Sequence, residues 1–101
     1  MLSPVKRDVA LKWLEGVQEG ILHLHSLRLC HNDINPSNIM ISEENTAVII
    51  DFDSCRPEGE PLGDKSGTEG WADSSATLSL PGNDQYSFER VRDFVLENLK
   101  G

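Results

Sequence analysis

The chain has 101 residues, enough for one domain and too few for two. Its net charge of −8 is unevenly spread: Met1–Ser42 holds four acids and four bases, whereas Glu43–Asp73 holds nine acids against Arg56 and Lys65. That acidic middle repels nucleic-acid phosphate and anionic lipid, so neither is an expected partner, and no apolar run has the length of a membrane span.

Ser3-Pro4 reads as a helix start, with serine as N-cap and proline at the first helical position. Ala10, Leu14, Val17, Ile21 and Leu24 then recur at spacings of four, three, four and three, one apolar stripe of a helix over about Val5 to Ser26. Gly16 and Gly20 lie on an adjoining face, where the cost of two helical glycines predicts the close approach of another element. Trp13 flanks the stripe as a packing residue, and Trp71 reads the same way. Leu27 to Asn38 is irregular. Ile39–Ile41 and Ala47–Ile50 are two short β-branched runs joined by Ser42–Thr46, a small hairpin with a five-residue turn. Asp51 to Gly82 has no periodicity; a loop of that length in a small domain is either functional or disordered. Asn83-Asp84 opens a last helix, with Phe88, Val91, Val95 and Leu99 on one face and Gly101 at its end.

Cys30 and Cys55 show no C-x-x-C spacing, and the charges and Pro4 within Met1–Asp8 do not suit a signal peptide. The expectation is a reduced, cytoplasmic setting with both thiols free. His23, His25, Cys30 and His31 raise the question of zinc. Positions 23 and 25 point about 200° apart around a helix, so that pair cannot serve one ion, and core or surface roles are expected for these histidines.

The stretch that carries chemistry is His31-Asn32-Asp33-Ile34-Asn35-Pro36-Ser37-Asn38, followed after the hairpin by Asp51-Phe52-Asp53. Phosphoryl transfer needs a carboxylate beside the acceptor hydroxyl, and an amide oxygen with a second carboxylate to hold Mg²⁺ against nucleotide phosphates. Magnesium takes hard oxygen ligands, few of them from protein. Asp33 leads Asn38 by five residues, and a hairpin that returns to its start brings Asp51 back to both.

This order of residues resembles the protein-kinase catalytic loop H-R-D-x-x-x-x-N with D-F-G at the end of the next hairpin. By that resemblance Asp33 is the catalytic base, Asn38 and Asp51 hold metal and cofactor, and His31 and Phe52 couple the two loops. The helix ending His23-Leu24-His25-Ser26 is similar to the one preceding that loop. Gly67-Thr68-Glu69-Gly70-Trp71 resembles a degenerate end of the activation segment, and Asp84 the buried aspartate that braces the loop backbone. The implied fold class is α+β and mainly helical: a C-terminal-lobe fragment with a small β-hairpin. Residues 1–101 would be a partial catalytic domain with catalytic loop 31–38, DFD loop 51–53 and activation-like segment 54–82. ATP and Mg²⁺ are the implied cofactors, and ATP with a protein substrate or partner the implied partners.

Four departures bear on activity. Asn32 stands for the arginine that would meet a phosphorylated activation loop, so a working site here should not need that phosphate. Asn35 stands for a lysine that neutralises the transferring phosphate, Asp53 for the glycine of D-F-G, and Asp73-Ser74-Ser75 for A-P-E. No glycine-rich loop, V-A-I-K lysine or partner glutamate precedes Ala10. Positioning supplies most of the rate in phosphoryl transfer, so no appreciable kinase activity is expected of this chain alone. Choline-kinase-like and aminoglycoside-phosphotransferase-like enzymes share the Asp-x4-Asn and Ile-Asp-Phe-Asp pattern, and they make a small-molecule phosphotransferase the runner-up. A pseudokinase scaffold without catalysis is a third reading.

Overall fold

The structure, a computed structural model, describes residues 6–63 and 67–99. Helix α1 runs Arg7–Ser26, followed by strand β1 (Leu29–Cys30), a 3-10 turn (Pro36–Asn38), β2 (Ile39–Ile41), β3 (Ala47–Ile49), β4 (Arg56–Pro57) and α2 (Pro81–Glu97). The proposed Ser3 cap and Pro4 lie outside the described residues, as does Gly101; Lys6 is the N-cap residue, without a side-chain cap bond.

The expected stripe of α1 is the inner one. Ala10, Leu14, Val17 and Ile21 are buried, and the core joins Leu14, Val17 and Ile21 to Ile34, Ala47, Phe88 and Val91. Trp13 and Trp71 pack at its edge, Trp71 edge-on to Phe94 with ring centroids 5.5 Å apart.

The expected hairpin forms, with Ile41 opposite Ala47 and Ile39 opposite Ile49. Its turn closes through Ser42 N–H to Thr46 O (2.9 Å), with Asn45 in the left-handed region (φ 63°) that asparagine tolerates. Gly16 and Gly20 let this hairpin lie on α1. A Cβ at Gly16 would sit 2.8 Å from the Ala47 carbonyl oxygen, and one at Gly20 would sit 3.1 Å from Ile49 Cδ1. The glycines are therefore the contact surface between helix and ribbon.

The aperiodic stretch is ordered along most of its described length. Strand β4 pairs antiparallel with β1, Cys30 opposite Arg56, and Pro61 bridges Leu78. Gly59 N–H to Ser79 O (2.6 Å) and Ser79 N–H to Glu60 O (2.7 Å) close the segment on itself. Helix α2 starts two residues before the expected Asn83, because Pro81 with its fixed φ takes the first helical position and Leu80 caps it from an extended conformation. It ends at Glu97, so Leu99 lies past the helix. No helix among the described residues is long and apolar enough to cross a membrane.

Candidate active site

The catalytic-loop candidate begins where β1 leaves α1. Asn32 adopts φ 68°, which turns the His31 and Asn32 amides toward one carboxylate. Asp84, fully buried in the first turn of α2, accepts His31 N–H on Oδ2 (2.9 Å) and Asn32 N–H on Oδ1 (2.8 Å). A carboxylate at a helix N-terminus is also favoured by the helix dipole. His25 Nε2, from the last turn of α1, is 2.9 Å from the same Oδ2. The brace expected of Asp84 is thus present. The third arm from His25 was missed; its separation of 59 residues from Asp84 leaves no local signal.

His31 is fully buried, and its tautomer follows from its partners. Nδ1 accepts the Asp33 amide (3.1 Å), so Nε2 carries the proton and donates to Ile50 O (2.9 Å). Its ring meets Phe52 edge-on at 5.3 Å. His31 therefore joins the 31–38 loop to the 50–52 loop, the coupling expected of it and Phe52.

Asp33 and Asn38 are in direct contact. Asn38 Nδ2 donates to Asp33 O (2.8 Å) and to Asp33 Oδ2 (3.2 Å). Both are acceptors, so the amide nitrogen faces Asp33 and the Asn38 Oδ1 atom is turned the other way, with no protein donor on it among the described residues. Ile50 N–H donates to Asn38 O (2.8 Å), which seats the backbone just before Asp51 on the Asn38 peptide. Asp51 is exposed and left-handed (φ 61°), and its Oδ1 accepts Asp53 N–H (3.3 Å). Of the three residues singled out by spacing, Asp33 and Asn38 are brought together through their side chains, whereas Asp51 is tied to them only through the bond of its neighbour Ile50 to the Asn38 carbonyl.

The remaining contacts come from residues whose spacing gave no warning. Thr68 Oγ1 donates to Asp33 Oδ1 (2.7 Å), and Asn35 Nδ2 donates to the same oxygen (3.1 Å) and lies 3.2 Å from the Thr68 hydroxyl. Asn35 Oδ1 also caps the 3-10 turn through Ser37 N–H (2.9 Å). Gly67 allows this approach: at φ 89°, any Cβ there would lie 2.9 Å from Asn32 O and 2.7 Å from Ala72 Cβ. Asn32 itself faces inward. Its Nδ2 is shared among Ser79 Oγ (2.9 Å), Ser54 O (3.1 Å) and Cys30 O (3.2 Å), and its Oδ1 accepts Asn83 Nδ2 (3.2 Å). One buried amide thus ties the loop to both ends of the 54–82 segment and to the start of α2.

A protein-family model described as the protein kinase domain matches residues 2–76. Among curated proteins, the dual serine/threonine and tyrosine protein kinase of Apis mellifera is 41% identical over 64 residues, 57% of this chain and 7% of the relative. The serine/threonine-protein kinase ELM1 of Saccharomyces cerevisiae is 43% identical over 58 residues, 54% of this chain and 9% of the relative. The dual-specificity kinase of Strongylocentrotus purpuratus is 38% identical over 68 residues, 67% and 7% respectively. The chain spans less than a tenth of the length of these relatives. With the family match covering three-quarters of its sequence, and a catalytic-type loop, hairpin and bracing aspartate assembled in the same order, the chain belongs to the protein kinase domain family.

Proposed function

We propose that residues 1–101 are part of a catalytic domain that, in its complete form, transfers a phosphoryl group from ATP to serine or threonine hydroxyls of a protein. Asp33 orients the acceptor hydroxyl and takes its proton, while Asn38 and Asp51 hold Mg²⁺. The observation that carries this reading is the direction of the Asn38 amide. With its nitrogen committed to Asp33 (2.8 and 3.2 Å), its oxygen has no protein donor among the described residues and is free to act as a hard ligand, and the Asn38 peptide carries the backbone that leads into Asp51. When bound, Mg²⁺ supplies charge neutralisation at the nucleotide phosphates. Thr68 Oγ1 donates to the Asp33 oxygen that an incoming hydroxyl would also address, which supports a hydroxyl-bearing acceptor.

The 101 residues contain no glycine-rich loop and no lysine in a V-A-I-K setting, so ATP is not positioned by this chain alone and the isolated chain is inactive. The test separates binding from turnover. Mn²⁺, a paramagnetic stand-in for Mg²⁺, should broaden the backbone resonances around Asn38 and Asp51 in the purified chain, and Asn38→Ala or Asp51→Asn should remove that broadening. Radiolabel transfer from ATP to a mixed protein substrate should stay at background. Broadening elsewhere in both variants would remove the metal assignment; transfer abolished by Asp33→Ala would remove the claim of inactivity.

A second reading, a non-catalytic scaffold, is favoured by one observation. Met40 (56% exposed), Val48 (51%) and Phe52 (51%) leave apolar side chains of the hairpin and the following loop in solvent. Sedimentation of a monomer that binds no hydrophobic dye would count against it.

A further inference from the structure

We propose that His25, Cys30 and Asp84 form a site for a borderline-soft divalent cation, with zinc as the probe ion, on the buried side of the catalytic-type loop. The imidazole nitrogen, thiol sulfur and carboxylate oxygen of these three lie within 4.8 Å of one another. His25 Nε2 and Asp84 Oδ2 are already 2.9 Å apart. Adjacent ligand atoms of a tetrahedral zinc site stand roughly 3.3–3.6 Å apart for bonds of about 2.0–2.3 Å, so closing on an ion asks for side-chain shifts on the order of one ångström. The residues come from the end of α1, from β1 and from the first turn of α2, and among the described residues they make the one such group of three His, Cys, Asp or Glu ligand atoms.

Charge supports the same site. Asp84 is fully buried, and among the described residues His25 is the one side chain able to carry positive charge within ion-pair distance of it. A buried carboxylate is costly unless it is both hydrogen-bonded and paired with charge, and Asp84 has the hydrogen bonds but only a histidine for the charge. Two backbone N–H groups offset part of that cost, and a dication would offset the rest. The donor set selects the metal: nitrogen and sulfur favour zinc over magnesium, which takes oxygen and belongs at Asn38 and Asp51. Access is from the His25 side, where the imidazole is 19% exposed and a water can complete the coordination.

The protons balance. Cys30 is 1% exposed, and an ordinary thiol, which ionises at about 8.5, holds its S–H proton at neutral pH. Binding replaces that proton, which leaves to solvent. His25 ligates through Nε2 as the tautomer whose ring proton sits on Nδ1. Asp84 Oδ2 exchanges the imidazole contact for the ion while keeping the His31 N–H. One proton is therefore released per ion bound. His23 and His25 diverge around α1 and cannot serve one ion as a pair; Cys30 and Asp84, the long-range neighbours of His25, supply the other ligand atoms instead.

The competing account is a hydrogen-bonded cluster that never takes a metal. Reduced chain is titrated with Co²⁺ while thiolate-to-cobalt absorption is followed in the near ultraviolet, and the cobalt is then displaced with Zn²⁺. One equivalent should develop the band with release of one proton, and zinc should raise the Tm. Cys30→Ser should lose both effects and Cys55→Ser should keep them. Oxygen ligation at Asn38 and Asp51 gives no thiolate band, so failure here is distinct from failure of the magnesium assignment. His25→Gln retains a donor for Asp84 and so preserves the fold if Cys30→Ser does not; it should bind cobalt at least tenfold more weakly. No band in the parent chain, a band retained in Cys30→Ser, or unchanged affinity in His25→Gln would each overturn the proposal.

Discussion

Asn32 shows how one side chain sets the geometry of a loop. Its left-handed backbone (φ 68°) is tolerated better by asparagine than by most residues, and its buried amide reaches Ser79, Ser54, Cys30 and Asn83. Asn32→Ala should destabilise the chain by about 3 kcal/mol, the cost of leaving several buried polar groups unpaired plus an unfavourable φ. Urea unfolding measures it. A loss under about 1 kcal/mol would mean that water replaces the amide. The resemblance cast this position as a missing phosphate partner; the structure gives it an internal role instead. The Asp33–Asn38 contact, the coupling of His31 to Phe52 and the brace from Asp84 were legible because the ordered motif carries them. Ser79 was not, and Thr68 was marked only by its motif and not by its contacts, since their partners Asn32 and Asn35 lie 47 and 33 residues away across an aperiodic segment.

At the scale of elements, the long helices and the hairpin were readable because apolar period and β-branched runs extend over enough residues to repeat. Strands β1 and β4 have two residues each, too short for any period, and they exist because Glu58 N–H also bonds Arg28 O (2.8 Å) and extends the pairing beyond them. The glycines give a paired test. Gly16→Ala gains helix propensity, yet its Cβ would stand 2.8 Å from a backbone oxygen of Ala47 that cannot swing aside. A net loss of roughly 1–3 kcal/mol is expected from the forced displacement of the hairpin. Gly82→Ala, in the first turn of α2 with nothing within 4 Å, should instead stabilise by about 0.5 kcal/mol. Thermal melts of the two variants should move in opposite directions. A stable Gly16→Ala would show that the ribbon can slide on α1.

For the molecule as a whole, the radius of gyration is 13.7 Å, close to the roughly 13 Å of a 100-residue compact chain. Burial inside the molecule reaches two thiols and gives its stability an alkaline pH dependence. Cys30 is pushed up mainly by burial, relieved in part by a Ser79 hydrogen bond and reinforced by the Asp84 charge; Cys55 is pushed up by burial and then by Asp84. A raised folded-state value means that the unfolded chain releases these protons first. Their contribution is therefore complete below the ordinary thiol value of about 8.5 and is lost as pH climbs from there through the folded value. The urea midpoint should be level from neutral pH to that point and then fall. Tyrosine and lysine titrations are common to every variant, so the comparison of slopes isolates the thiols. Cys30→Ala and Cys55→Ala should each flatten the alkaline decline, whatever they do to the midpoint at neutral pH. Parallel declines in parent and variants would show that both thiols ionise as freely in the folded chain as in the unfolded one, and burial at the β1–β4 pair would then have no hold on the protons.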